Sequence, residues 1–187
     1  MATAAILPAG PPAVLYDIDW DTYTRLLRVL QTERRYRLTY DRGTLEIMSP
    51  LFEHENPCYV LGRFVDVLTE ELNRPLRSGR TVTLRRKKKL KGLEPDNCYW
   101  LANAPLLLGK THLDLRTDPP PDLAIEVEVT QRSIDRMGIY AALQVPEIWA
   151  LGAAGLAFHV LHGKKYQVQA HSVAFPLLTA DDLMGFL

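Results

Sequence analysis

Pro120-Pro121-Asp122-Leu123-Ala124-Ile125-Glu126-Val127-Glu128-Val129 is the stretch on which the fold turns. Its β-branched content and alternating polarity predict a strand over 122–129. A period of two places Asp122, Ala124, Glu126 and Glu128 on one face and Leu123, Ile125, Val127 and Val129 on the other. Three carboxylates on one side repel, and burial adds a desolvation penalty, so the pattern calls for open solvent or a compensating cation. An edge strand with a solvated acidic face satisfies the first condition. A hard divalent ion, Mg²⁺ or Mn²⁺, held between Glu126 and an acid on a neighbouring strand satisfies the second.

That neighbouring acid is sought upstream. Glu94-Pro95-Asp96-Asn97 opens a strand predicted to run to Leu101, with Pro at a tolerated position and Asp96 just past it. Thr81 to Arg85 reads as another strand. Before them, Tyr36–Tyr40 and Thr44–Met48 alternate like a hairpin around the turn Asp41-Arg42-Gly43. Tyr59, Phe64, Val67, Leu68 and Leu72 recur at helical spacing until Arg74-Pro75. Asp19 or Asp21 caps a short outer helix carrying Tyr23, Leu26, Leu27 and Leu30. Downstream, Ser133 or Asp135 caps a helix through Met137, Tyr140, Ala141 and Leu143. Val145-Pro146 stops it before the strand Glu147–Leu151. A closing hairpin spans Leu156 to Val168. The order predicts an α/β or α+β fold, a mixed sheet flanked by helices, as one domain over 1–187 with an extended leader over 1–18.

Charge adds a second clue. The chain balances 22 Lys plus Arg against 22 Asp plus Glu, so no bulk field draws it to nucleic acid or membrane. Yet every charged residue from Arg74 to Lys91 is basic. Beside the acids, Arg85, Lys87 and Lys89 in that run predict contacts to a phosphate backbone, with DNA as the partner. Two cysteines are too few for a disulfide framework, no secretion signal opens the chain, and no apolar run approaches a bilayer span. The expected compartment is the cytoplasm. There is no nucleophile elbow and no glycine-rich phosphate loop, which sets aside serine hydrolases and nucleotide-binding folds of those kinds. A zinc site on His54, Cys58 and Cys98 would want a fourth ligand.

Several blocks together carry a family likeness: Gly43-Thr44-Leu45-Glu46-Ile47-Met48-Ser49-Pro50 with His54-Glu55, then Glu94-Pro95-Asp96-Asn97-Cys98-Tyr99. Next come Pro120 to Val127, Tyr140, and Val145-Pro146-Glu147-Ile148-Trp149. From Gly43 onward the sequence resembles the Uma-type restriction endonucleases, a branch of the PD-(D/E)XK nuclease superfamily. The resemblance implies a restriction endonuclease-like core, with Asp96 as the aspartate of the PD half-motif, Glu126 as the acid of the second half, and Glu55 as an acid from the first core helix. The usual lysine is missing. Glu128 follows Val127, and Arg136 stands where relatives often carry a migrated lysine. Arginine stays protonated, so Arg136 is cast in stabilising phosphate charge and Glu128 in orienting water. His54 and Tyr140 join the substrate contacts. The expected activity is metal-dependent DNA hydrolysis by a homo-oligomer, a dimer or tetramer. The rival expectation is a nuclease-like fold that binds nucleic acid or protein without cutting.

Overall fold

The computed structural model describes residues 12–30, 36–49, 52–127 and 133–187. Strand β1 (Ala13–Leu15), inside the stretch read as a leader, pairs antiparallel with β3 (Thr44–Met48). Helix α1 (Trp20–Leu30) follows, its start fixed by Asp19, whose carboxylate accepts the Thr22 N–H at 2.6 Å. The hairpin forms as predicted between β2 (Arg37–Asp41) and β3. Its two turn residues, Arg42 and Gly43, take φ of 44° and 95°, the left-handed geometry that two-residue hairpins demand.

Helix α2 (Phe52–Glu71) comes next, then β4 (Arg77–Ser78), β5 (Leu84–Arg86), β6 (Lys91–Leu93) and β7 (Asn97–Trp100). The strand expected over Thr81–Arg85 starts late because Val82 N–H closes a turn onto Gly79 C=O at 3.1 Å. The strand expected from Glu94 starts at Asn97, since Pro95 has no N–H to give a ladder. Strand β8 (Leu123–Val127), α3 (Arg136–Leu143), β9 (Glu147–Gly152), β10 (Gly155–His162), β11 (Lys165–Gln169) and α4 (Ala180–Met184) complete the chain. Asp135 caps α3 by accepting the Gly138 N–H at 2.9 Å.

Instead of one sheet there are two among the described residues, ordered β1-β3-β2-β6-β5 and β11-β10-β9-β8-β7-β4. Among the described residues only the β8–β9 pairing is parallel, joined through α3 as a βαβ unit. Because β8 lies inside its sheet, with β7 on one side and β9 on the other, every residue from Leu123 to Val127 is buried. The edge-strand alternative is therefore excluded. Leu123, Ile125 and Val127 pack with Leu61 and Val65 of α2, while Ala124 packs with Ile139, Tyr140 and Leu143 of α3. The predicted alternation is thus real, with an apolar layer on each side.

Helix α2 faces the core differently from the expected stripe. Leu61 and Val65 are buried, with Phe64 and Leu68 beside them, whereas Tyr59, Val67 and Leu72 are exposed. Nor is α1 a minor outer element: Tyr23 and Leu27 are buried with Leu38, Tyr40 and Leu45 in a third core. Among the described residues no helix is long and apolar enough to cross a membrane. Where α1 meets β6, a Cβ on Gly92 would stand 2.5 Å from Tyr23 Oη and 3.0 Å from Arg85 Cβ. Gly92→Ala should therefore destabilise the fold by about 1–3 kcal/mol, the usual penalty of overpacking, read as a lower urea midpoint with unchanged slope.

Candidate functional site

Burying Glu126 on β8 demands a counter-charge, and the chain supplies it from the first turn of α3. Arg136 Nε donates to Glu126 Oε2 at 3.1 Å and its Nη2 donates to Oε1, a bidentate pair whose side chains are 7% and 10% exposed. The same guanidinium donates through Nη1 to Thr39 Oγ1 at 2.7 Å and through Nη2 to the Glu94 carbonyl at 2.8 Å. Tyr140, one helical turn along α3, donates its hydroxyl to Glu126 Oε1. Burial opposes the charge on Arg136, but Glu126, Tyr140 and Asp96 outweigh it and hold the guanidinium above its ordinary pKa. Burial and then Glu126 raise the Tyr140 phenol well above its usual value, so it remains a donor.

Asp96 stands one residue before the neighbouring strand, β7. The β7–β8 ladder pairs Asn97 with Ile125 and Cys98 with Ala124, so Asp96 and Glu126 each lie one residue beyond its last pair. Asp96 Oδ2 accepts the Val127 N–H at 2.8 Å, which ties the carboxylate to β8. Cys58 on α2 senses the convergence: burial first, then Asp96, Glu55 and Glu126, push its thiol up to about 12. Asp96 and Glu55 also line a cavity of about 870 Å³ between α2 and the strand edge, whereas Glu126 is not among its lining residues. Glu94 is buried, accepting the Leu38 N–H at 3.1 Å and the Thr83 hydroxyl at 3.0 Å.

Among the described residues no three His, Cys, Asp or Glu side chains form a ligand cluster. Mg²⁺ needs fewer, since one or two carboxylates completed by water and phosphate suffice. Asp96 and Glu55 bring hard oxygen donors to the cavity, while both Glu126 oxygens already accept from Arg136, with Tyr140 on Oε1. Zinc finds no such match, as burial raises the Cys98 thiol and keeps it from the thiolate state.

Other expected residues fall elsewhere. Glu128 lies outside the described residues, as does the side chain of His54. Arg85, Lys87 and Lys89 do not line the cavity. They belong to β5 and the 3₁₀ turn after it, in the other sheet, where Arg85 packs on Gly92 and Lys87 pairs with Asp21 of α1. Arg136 is turned inward onto Glu126 instead of outward to phosphate, because an uncompensated buried carboxylate is the costlier alternative. Asp122, the first acid of the quoted stretch, accepts the Leu101 and Asn103 backbone N–H groups and braces a turn. The cavity's own cations are Arg37, Arg63 and Arg80. Only Arg80 lay in the basic run; Arg37 and Arg63 sit alone in their elements and carry no motif.

If Arg136 is the counter-charge of Glu126, Arg136→Leu leaves a buried charge unpaired and should cost about 3–5 kcal/mol. Adding Glu126→Leu should return much of that loss, giving a favourable coupling in a urea-denaturation double-mutant cycle. Additive single effects, each below about 1 kcal/mol, would contradict the pairing.

No curated protein matches the chain. The Uma2 family, whose description reads "Putative restriction endonuclease", matches residues 20–186, nearly the whole length. With a mixed α+β core of the restriction endonuclease-like kind and a match of that extent, the chain belongs to the Uma2 restriction endonuclease family.

Proposed function

We propose that this protein is a nuclease that hydrolyses DNA phosphodiester bonds with a divalent cation, Mg²⁺ or Mn²⁺, at Asp96 and Glu126. The observation that supports the reading is the Val127 N–H bond that ties Asp96 to β8 one residue from Glu126, with Asp96 lining a cavity that also takes Glu55. A bound cation would supply charge neutralisation at the scissile phosphate and a water of lowered pKa. The protein's own part is orientation. Val127 N–H fixes the Asp96 carboxylate, while Arg136 and Tyr140 fix Glu126 in one rotamer. In this reading Glu55, exposed on α2 and lining the cavity, accepts a proton from water or orients it, a role shared with Glu128. Arg136 acts through Glu126 and not as a base, since its guanidinium keeps its proton. Residence in a reducing compartment belongs to the same reading, which the free thiols of Cys58 and Cys98 suit. So does self-association, for which the edge strand β11 is available.

One observation favours a second reading. The Arg136–Glu126 pair already offsets the buried carboxylate, an arrangement suited to a nuclease-like fold that binds nucleic acid without cutting. Incubation of plasmid and single-stranded DNA with Mg²⁺ or Mn²⁺ separates the two. The nuclease reading expects cleavage that EDTA abolishes and that Asp96→Ala and Glu126→Ala each reduce by at least about 100-fold. Equal behaviour of all three proteins, with DNA still bound, supports the second.

A further inference from the structure

The cavity holds features that neither carboxylate chemistry nor packing requires. Arg37 from β2, Arg63 from α2 and Arg80 from the β4–β5 link all line it, three cations delivered by three separate elements. Among the described residues the buried Arg37 Nε–H has no hydrogen-bond partner, a donor open to an acceptor. Arg80 is held at φ 48°, a left-handed conformation uncommon for a non-glycine residue. Its neighbour Gly79 has no room for a side chain, since a Cβ there would come within 2.5 Å of the Trp100 ring and 2.7 Å of Cys98 Sγ. The backbone that presents Arg80 is therefore pinned. Tyr59, on the first half of α2, exposes 67% of its surface at the same cavity, and Tyr36 also lines it.

Arginines fit phosphate oxygens, and an exposed aromatic ring fits the face of a base. In a continuous duplex both faces of each base are already stacked, so a base reaches such a ring only when unpaired. A volume of about 870 Å³ lies within the range of small-ligand sites and matches one or two nucleotides. We propose that this cavity takes an unpaired nucleotide of a nucleic-acid strand, with Arg37, Arg63 and Arg80 on the phosphates and Tyr59 beneath the base. The inference rests on the nuclease reading and narrows it: the substrate class is single-stranded or frayed nucleic acid, led into the acidic site past Asp96 and Glu55. Because the chain has no net charge, binding comes from these few contacts and not from a bulk field.

The test is fluorescence anisotropy in EDTA, where cation-dependent cleavage cannot interfere. The probes are a labelled single-stranded oligonucleotide, the blunt duplex of the same sequence, and a labelled mononucleotide. The expected result is at least about ten-fold tighter binding of the single strand than of either other probe. Tyr59→Ala should weaken single-strand binding about ten-fold, with Tyr59→Phe restoring it. Three phosphate contacts predict a slope of log affinity against log salt near about −2, which Arg80→Gln reduces by about 0.7. Lys87→Ala with Lys89→Ala, on the 3₁₀ turn outside the cavity lining, should change affinity by less than about two-fold. Equal affinity for strand and duplex, indifference to Tyr59→Ala, or a mononucleotide bound as tightly as the strand would overturn the proposal. Since no cation is present, these outcomes are independent of cleavage: Asp96-dependent cutting of duplex without Tyr59-dependent binding leaves the nuclease reading standing alone. Tyr59-dependent binding without cutting leaves this inference standing alone.

Discussion

A carboxylate in the middle of a sheet must be answered by a positive charge, and in this protein the answer organises the fold. Glu126 lies on β8 with a neighbour strand on either side, its side chain only 10% exposed. Arg136 meets it with two parallel N–H donors and spends further donors on Thr39 of β2 and on the Glu94 carbonyl between β6 and β7. One guanidinium thus ties α3, the six-stranded sheet and the five-stranded sheet together. Removing either partner leaves the other charged and buried, which is why the pair is expected to act as a unit.

The same pairing shapes the site. Glu126 is paired from the α3 side, while Asp96, Glu55, Asp66 and Glu94 line the cavity, and the Cys58 thiol is raised by burial first and then by Asp96, Glu55 and Glu126. Asp96 is held to β8 by a backbone donor, so its carboxylate is positioned by the sheet and not by a flexible loop. The cavity beside it brings arginines and a tyrosine to the acids from different elements. Phosphate and base are thereby presented to the carboxylates by rigid parts of the fold.

Much of this was legible in the residues. The period of two read over 122–129 gave the strand and its faces, Ser133 or Asp135 was read as the cap of α3, and Asp41-Arg42-Gly43 gave the hairpin turn, because each rests on local geometry. The acids' adjacency followed from strand order, and the register that sets Asp96 against Glu126 followed from none of it, since pairing is a tertiary property. The α2 stripe was misread because Tyr59, Val67 and Leu72 are apolar by type while the helix buries Leu61 and Val65, and composition cannot say which face meets the sheet. The basic run drew attention to Arg85, Lys87 and Lys89, although local charge density says nothing about which sheet carries it. Arg37, at the end of the charged run Glu33-Arg34-Arg35-Tyr36-Arg37, and Arg63, between Gly62 and Phe64, reach the cavity only through folding. Burial of β8 could be read either way until its place inside the sheet was known, and with it the identity of the cation that answers Glu126.

The central claim is that Asp96 and Glu126 converge to hold one hard cation. Calorimetric titration of Mn²⁺ into the native protein and into Asp96→Asn tests it most directly, because asparagine keeps an acceptor for the Val127 N–H while removing the charge. The account predicts saturable binding at one site in the native protein, lost in the variant while the melting temperature of the metal-free protein is retained. Identical isotherms for the two proteins, or no saturable binding to either, would contradict it.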